Sequence, residues 1–398
     1  MLCCDGLMSS LSGAAAKRPA TLADVAAASG VATSTVSRAL SDPGRVNAAT
    51  RARIEKAARE LEYVPNSQAR ALTSGRTRAI AVLVSDVTNP FYFGIIRGTQ
   101  HQLKAAGYTQ LLVDTEESDE LEDGMLHKLR RSFDGAILAA SRLTDRRLTA
   151  LAQEMPLVAI NRQTRGVASV FIDTPNGVEQ AVGHLVSLGH RDIAYVAGPE
   201  TSWSNERRWR AFLRASGEHG VSARRIGPFA PRKYAGAAAA DAVLNAGVTA
   251  CVAFNDLLAI GMLGRFRERG VRVPEDVSIV GCDDIFGADF CNPPLTTLTA
   301  PIEQAGRTAV SILLSRLDGG HAPLVRSGTT LPTHLTVRDS TGPAPAGGRA
   351  ASPLPTAASL LPTAASPLPS AASPTSPSSP TSPISPSSPA DRTEPEAR

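Results

Sequence analysis

The chain has 398 residues, enough for two or three domains of ordinary size. Hydrophobic residues make up 42% of it and aromatic residues only 4%, so aliphatic side chains must fill the core. The formal net charge is +4, and no apolar run approaches the ~18 residues of a membrane-spanning helix, so we predict no membrane span.

The positive charge is concentrated near the N-terminus. Residues 17–78 carry 11 Lys and Arg but only 5 Asp and Glu, and the rest of the chain is slightly negative. This asymmetry favours one basic module that meets a polyanion, although a solvated basic face would give the same count.

Cysteine spacing and the N-terminus bear on cofactors and location. The five cysteines show no metal-ligand spacing. The N-terminus lacks the basic-then-apolar order of a signal peptide. We therefore expect a cytoplasmic protein with no metal and no cofactor.

Helical signals begin after residues 1–18, which show no periodicity and are expected to be a disordered extension. Thr21 and Asp24 have the spacing of a capping box, which predicts the start of a first helix. Gly30 ends it, and a second helix runs through Leu40, with Thr33 or Ser34 able to cap it. After a turn at 42–44, a third helix is predicted over 48–61. These three helices predict an all-α helix-turn-helix headpiece over residues 19–65.

The next segment, residues 66–78, is predicted to be a hinge helix and linker. The Val64-Pro65 pair ends the headpiece, because the residue before proline disfavours helix. Asn66 can cap a short helix over 67–72, before Gly75. This segment is basic and too short to be a stable helix alone.

From residue 79 to about 340, short apolar segments alternate with amphipathic ones. The first series predicts strands at 80–84, 110–114, 135–139 and 157–160 with helices at 91–106, 120–131 and 145–154. The second predicts strands at 170–172, 193–197, 250–254 and 277–281 with helices at 177–188, 205–218, 234–245 and 257–269. Alternation of this kind predicts an α/β core of two lobes with parallel sheets and a ligand cleft at the strand ends. A helix at 301–317 and a strand at 334–337 are expected to return across both lobes.

Composition changes sharply after residue 340. Residues 341–398 are dominated by Ser, Pro, Ala and Thr. Such a segment cannot bury enough apolar surface to offset the entropy of folding, so we predict a disordered C-terminal tail.

The sequence motifs of the headpiece identify a protein family more specifically than its pattern of helices does. TLADVA at 21–26, GV at 30–31, TVSRAL at 35–40 and YVPN at 63–66, with Leu72 six residues later, closely resemble the LacI/GalR family of repressors. The resemblance continues to about residue 340. It implies a headpiece, a hinge and a periplasmic-binding-protein-like core, working as a homodimer on near-palindromic operator DNA.

The resemblance also implies DNA-contacting residues in the headpiece. The second helix would enter the major groove, with Thr33 and Ser34 facing base edges. Alternatively, Thr33 only caps the helix, and Ala32 stands where the family usually has Ser. The headpiece residues assigned to DNA are Thr21, Leu22, Thr33, Ser34, Thr35, Ser37 and Arg38.

The hinge is implied to act in the minor groove. It would order only on DNA and wedge Leu72 into the central base step, at a cost in unstacking that the bend repays. Ala69 would pack beside Leu72, and Asn66 would lie near the backbone.

Polar and aromatic residues at strand ends form a candidate effector site. Arg208 matches the family's ligand-binding arginine, and Phe91 and Tyr92 resemble its aromatic loop. Carboxylates accept hydroxyl hydrogens and arginine donates to oxygens, which suits a polyhydroxylated ligand. Each polar residue could instead be a cap or a salt-bridge partner, and Asp284 is expected to be structural. The predicted effector site comprises Phe91, Tyr92, Asn161, Arg208, Asn255, Asp256 and Asp283.

These features predict a sequence-specific transcriptional regulator, expected to be a repressor, whose operator affinity is set by a small effector such as a sugar. The alternative is a solute-binding transport receptor, which shares the two-lobed core but would need a signal peptide and no headpiece. An enzyme would need a nucleophile or metal set, and the sequence shows no catalytic residues of that kind.

Overall fold

The computed structural model describes residues 18–41, 43–64, 75–319 and 328–346. Residues 1–17, the hinge with Asn66, Ala69 and Leu72, and the tail beyond residue 346 lie outside the described residues, so the predictions made for them stay predictions. Within the described ranges, no helix is long and apolar enough to cross a membrane.

The described part of the headpiece consists of the helices α1 (Leu22–Ser29), α2 (Thr33–Ser41) and α3 (Ala48–Glu60). The predicted capping box is confirmed, because the Thr21 side chain accepts from the Asp24 N–H and the Asp24 carboxylate accepts from the Thr21 N–H at 2.7 Å. Gly30 ends α1 with φ +65°, a left-handed conformation that glycine adopts without steric cost.

A small apolar core holds the three headpiece helices together. Val25 of α1, Val36 of α2 and Ile54 of α3 are fully buried against one another, with alanines between them. Each such side chain contributes about 1.5–3 kcal/mol by leaving water. This packing fixes which face of α2 is left in solvent.

The core of the molecule follows at residue 79. Its elements in chain order are β1 Ala79–Val84, α4 Phe91–Ala105, β2 Thr109–Asp114, α5 Asp119–Leu129, β3 Gly135–Ala139, α6 Asp145–Glu154, β4 Leu157–Ile160, β5 Ala168–Ile172, α7 Thr174–Ser187, β6 Asp192–Val196, α8 Trp203–Glu218, β7 Ser222–Ile226, α9 Gly236–Ala246, β8 Ala250–Ala253, α10 Asp256–Glu268, β9 Ser278–Cys282, β10 Thr296–Thr299, α11 Ile302–Leu317, β11 Gly328–Leu331 and β12 His334–Thr336.

The first lobe is built on a sheet with the strand order β11-β5-β4-β3-β1-β2, in which every described pair is parallel. β3, β4 and β5 are buried at every position. Continuous burial without alternation is typical of a parallel sheet covered by helices on both faces.

The second lobe has the order β12-β10-β9-β8-β6-β7. Its pairs are parallel except at the edge, where β12 runs antiparallel to β10. The prediction of a two-lobed α/β core with parallel sheets is therefore confirmed, with one antiparallel edge strand added.

The chain passes between the lobes three times, after β5, after β10 and after β11. The alternation of elements predicts residues 170–172 at the head of the second series, but this is wrong, because β5 pairs with β4 and belongs to the first sheet. The later crossings confirm that the last elements return across both lobes: β11 joins the first sheet and β12 the second.

The described chain continues in contact with the second lobe past residue 340. The Ala344 N–H donates to the Leu188 carbonyl at 2.8 Å, and the Gly342 carbonyl lies 3.1 Å from Nε2 of the buried His190. Residues 341–346, assigned to the tail from composition, are thus attached to the core.

Candidate functional site

A cavity lies between the lobes at the carboxyl ends of the strands, where the alternation of strands and helices predicted it. Its volume is about 40 Å³, well below the roughly 300–1,000 Å³ of ordinary small-molecule sites. The lobes are therefore closed tightly on it. The lining residues are Asn89, Phe91, Tyr92, Glu117, Ala140, Arg142, Asn161, Ser202, Ser204, Arg208, Pro231, Phe254, Asn255 and Asp283.

Arg208, on the first turns of α8, is held from three directions. Its Nη1 donates to the Phe254 carbonyl at 2.5 Å and its Nε donates to Oγ1 of Thr174 at 3.1 Å. Its Nη2 lies 3.7 Å from Oδ1 of Asp283, and the guanidinium sits 5.1 Å from the centre of the Phe254 ring. The side chain is therefore fixed in the cavity wall with its charge in place.

Asp283 follows β9 and has a backbone φ of +122°, which is strained for a residue other than glycine. Burial raises the pKa of Asp283 to about 7, although Arg208 opposes the shift. Burial thus favours the protonated carboxyl and Arg208 favours the carboxylate, and each form would offer a different hydrogen-bonding pattern to a ligand.

Two asparagines of the predicted set hold loops at the cavity. Asn255 caps α10, accepting from the Leu258 N–H at 3.0 Å, and its Nδ2 donates to the Pro231 carbonyl. Asn161, with φ +55°, accepts from the Ile172 N–H at 3.1 Å. Both line the cavity while fixing its backbone.

The aromatic part of the lining lies at the start of α4. The rings of Phe91 and Tyr92 meet edge to face, with centres 5.2 Å apart. Burial, followed by the charge of Glu117, raises the pKa of the Tyr92 phenol, which keeps it neutral. Phe254 of the second lobe adds a third ring.

Asp256 lies outside this lining, unlike the other predicted effector residues. Its carboxylate is fully buried and accepts from Oγ1 of Thr297 at 2.6 Å and from the Ile285 N–H at 2.9 Å. Burial raises the pKa of Asp256 to about 6. These contacts give Asp256 a structural position. Asp284 is likewise bound to Thr299 and Arg338, as its predicted structural role requires.

The structure adds residues that the sequence analysis did not identify. Glu117 and Arg142 follow β2 and β3, and the Arg142 guanidinium binds the Glu117 carboxylate. Burial raises the pKa of Glu117, and Arg142 counteracts the shift. Applying the strand-end rule to β2 and β3 as well would have found this pair.

In the headpiece, α2 turns a polar surface to solvent. Thr33, Ser34, Ser37 and Arg38 are exposed, and Thr35 is half-buried. The N–H groups of Thr35 and Val36 donate to the Ala32 carbonyl, so that alanine occupies the cap position and α2 begins at Thr33.

Thr21 and Leu22 differ from the α2 residues because both are engaged within the headpiece itself. The Thr21 hydroxyl is engaged in the capping box. Leu22 is half-buried against the headpiece core.

Comparison with known proteins decides the family. A model described as bacterial regulatory proteins, lacI family, matches residues 21–66, and one described as a periplasmic binding protein-like domain matches residues 182–341. The chain is 34% identical to the HTH-type transcriptional repressor CytR of Escherichia coli K12, over 82% of this chain and 97% of that protein. The chain belongs to the LacI family.

Solved structures agree with this LacI family assignment. The crystal structure of the lac repressor dimer bound to operator and the anti-inducer ONPF is similar, with a TM-score of 0.73, 29% identity, and coverage of 82% of this chain and all of that one. The transcriptional regulator CelR in complex with cellobiose matches with a TM-score of 0.60 and 31% identity, over 81% of this chain and 99% of that one. The predictions of family and fold class are confirmed, and this LacI family member is a DNA-binding transcriptional regulator and not an enzyme.

Proposed function

We propose that this regulator is a cytoplasmic homodimeric repressor whose operator affinity is controlled by a sugar-like metabolite bound between the lobes. The proposal rests on one observation. The same chain has both a helix α2 with an exposed polar face and an interlobe cavity built around Arg208. A solute-binding receptor would have no use for α2.

The cavity chemistry supports a polyhydroxylated effector. The Arg208 guanidinium, already fixed by Phe254 and Thr174, is set to donate to ring or hydroxyl oxygens. Asp283 can accept hydroxyl hydrogens, and the rings of Phe91, Tyr92 and Phe254 can cover the apolar faces of a sugar. The similar regulator CelR is seen with cellobiose.

The small cavity volume supports control by lobe movement. A monosaccharide cannot enter about 40 Å³ without separating the lobes. Effector binding therefore selects a different lobe arrangement, and the change in operator affinity can be no larger than the difference in effector affinity between the two arrangements.

DNA recognition is assigned to α2 and its surroundings. In this proposal Thr33 and Ser34 read base edges, and Thr35, Ser37 and Arg38 contact bases or phosphates. Thr21 and Leu22 lie at the start of α1, and Asn66, Ala69 and Leu72 complete the set outside the described residues. The similar lac repressor is a dimer on its operator, which supports paired headpieces on two half-sites.

Footprinting with the purified full chain tests this proposal. DNA upstream of its own gene and neighbouring genes should show a protected, near-palindromic site, and one member of a panel of sugars should change the protection. The double variant Thr33→Ala/Ser34→Ala should lose the footprint but keep weak binding to any DNA. Absence of selective protection on all these promoters would contradict the proposal.

A further inference from the structure

The amino ends of the first sheet form one edge of the first lobe, on the side away from the cavity. Ala79 of β1 pairs with Thr109 of β2 at this amino edge, and β3 and β4 run parallel to them. Each helix of a strand–helix alternation returns to the start of the next strand, so α4, α5 and α6 all end here. α11 ends here too, because the Leu317 carbonyl accepts from Nη2 of Arg76, just before β1.

This amino edge carries an excess of cationic side chains. Its basic residues are Arg76, Arg78, Lys104, Lys128, Arg130, Arg131 and Arg316, and its acidic residues are Asp134, Glu154 and Asp318. Seven basic against three acidic residues leave a formal excess of four positive charges. Five of the basic residues are exposed, and only Arg76 and Arg316 are half-buried. The edge is therefore an exposed surface suited to a polyanion.

The acidic residues of the amino edge are already engaged. Asp134 accepts three hydrogen bonds from the chain that enters β1. Glu154 lies 3.7 Å from the Arg147 guanidinium, and Asp318 lies 3.3 Å from that of Arg76. None of the three is left to neutralise the cations at the end of α5.

Two adjacent arginines follow α5 with their charges uncompensated. Within the described part of the chain, Arg130 and Arg131 are exposed and form no ion pair. Together with Arg76 they line a depression of about 1040 Å³ at the amino edge. A guanidinium group presents a fork of N–H donors that matches two phosphate oxygens.

The headpiece joins the core at this same edge. Ten residues, 65–74, connect Val64 of the headpiece to Gly75, four residues before β1. Even fully extended, this connection spans at most about 40 Å. Both sheets turn their carboxyl ends to the cavity, so the amino ends of the second sheet point the other way. DNA held by the headpiece is thus confined to the side of the core on which Arg130 and Arg131 lie.

We infer that the amino edge of the first lobe is a second DNA-contacting surface, on which Arg130 and Arg131 bind backbone phosphates of the duplex held by the headpiece. Phosphates are the same in every sequence, so these contacts add affinity and salt dependence and leave base preference to α2. The inference rests on the proposed function and extends its DNA-binding surface from the headpiece to the core.

A purely structural role for these arginines makes a different prediction. Arg130 is the C-cap residue of α5, and a cation at that position interacts favourably with the negative end of the helix dipole. Such a role would affect the stability of the protein and leave its DNA binding unchanged. Phosphate binding instead changes the dependence of DNA affinity on salt, because each neutralised phosphate releases counterions.

The test compares Arg130→Gln/Arg131→Gln with the wild type, both as full chains. The DNA is a duplex enriched from random sequence by the wild type, and a scrambled duplex of equal length. Loss of one phosphate contact from each protomer of a dimer should lower the slope of log affinity against log salt by about 2. Affinity for both duplexes should fall about tenfold or more at low salt, while their ratio stays unchanged. Fluorescence anisotropy across a salt series measures both quantities.

Two further variants separate local contact from net charge and from side-chain shape. Arg191→Gln/Arg267→Gln removes two exposed arginines of the second lobe, which also form no ion pair among the described residues. This control removes the same charge far from the linker and should keep the wild-type slope. Arg130→Lys/Arg131→Lys retains the charges at the amino edge and should keep most of the slope, since counterion release depends on charge.

The results that would overturn the inference differ from those that would overturn the proposed function. If Arg130→Gln/Arg131→Gln keeps the wild-type slope, at whatever melting temperature, the arginines serve only the end of α5 and the inference is wrong. An equal loss of slope in the second-lobe control, or in the lysine variant, would also contradict it. In these cases the proposed function stands, whereas a wild type that enriches no duplex at all would contradict both.

Discussion

Asp86 and Arg232 face each other from opposite lobes, with Oδ2 of Asp86 3.1 Å from Nε of Arg232. Asp86 follows β1 in the first lobe and is 2% exposed, and Arg232 precedes α9 in the second. Within the described part of the chain, Oδ2 of Asp86 makes no hydrogen bond, so the charge of Arg232 is its compensation. The pair holds the lobes together at the cavity.

Arg232→Ala should therefore open the cleft. Loss of the cation leaves a buried carboxylate uncompensated, which the protein relieves by hydrating it. Small-angle scattering of the ligand-free protein should show a larger radius of gyration. Arg224→Ala removes an arginine paired with Asp192 inside the second lobe and should leave the radius unchanged. Equal radii of gyration for wild type and Arg232→Ala would show that the Asp86–Arg232 pair does not hold the lobes together.

Arg208→Met should destabilise the core by about 1–3 kcal/mol, because it removes the cation beside the buried Asp283, whose carboxyl must then take up a proton. Adding Asp283→Asn should recover most of that loss, while effector binding stays absent in both variants. Chemical denaturation measures the stabilities and completes the double-mutant cycle. Additive losses in the double variant would show that the two side chains are not coupled.

Two kinds of substitution in α2 should have different effects on DNA binding. Ser34→Ala removes a hydrogen bond of about 0.5–1.5 kcal/mol and should change base preference at one position of each half-site. Arg38→Ala should weaken binding to all sequences and lower the salt slope by about 1 per headpiece. Fluorescence anisotropy across a salt series separates the two, and a uniform effect of Ser34→Ala would argue against base reading.

Acidification should remove the contribution of His190 to the stability of the second lobe, while the raised pKa values of Asp256 and Asp283 act in the opposite direction. Burial lowers the pKa of His190, whose Nε2–H donates to the Gly342 carbonyl while Nδ1 accepts from the Thr249 hydroxyl. A lowered pKa means that the unfolded chain binds the proton more readily. The stabilisation is therefore present above the unfolded pKa of about 6.5 and is lost as pH falls through the folded value.

Denaturation of wild type and His190→Gln between pH 8 and pH 5 measures this loss as the difference between their two slopes. The variant should keep the contributions of His184, whose pKa burial also lowers, and of the buried carboxyl groups. An unchanged slope in His190→Gln would exclude His190 as the titrating group.

The elements that the sequence predicted are those with strong local signals. The capping box at Thr21, the apolar runs of β3 and β4 and the helix end at Gly30 are local signals, and all are found. The strands that were not predicted, β7, β10 and β11, have the sequences SARRI, TTLT and GTTL. Their polar composition gives no apolar run, and only pairing with distant strands makes them strands.

For the cavity, the sequence predicted well which residues lie together, but it did not predict their hydrogen bonds and ion pairs. Six of the seven predicted effector residues line the cavity, because strand ends of a parallel sheet converge. Asp256 is the exception, since its side chain turns back to Thr297 and Ile285, contacts far apart in the chain. The Asp86–Arg232 pair was not predicted for the same reason.

The most direct test of the account is the operator affinity of the purified full chain, measured on a duplex enriched from random DNA and titrated against a panel of sugars. The account predicts a two-fold symmetric duplex, bound at least about a thousandfold more tightly than random DNA, and one sugar that changes this affinity in the wild type but not in Arg208→Met. Tight binding that no sugar alters would contradict effector control, and equal binding to all duplexes would contradict the account as a whole.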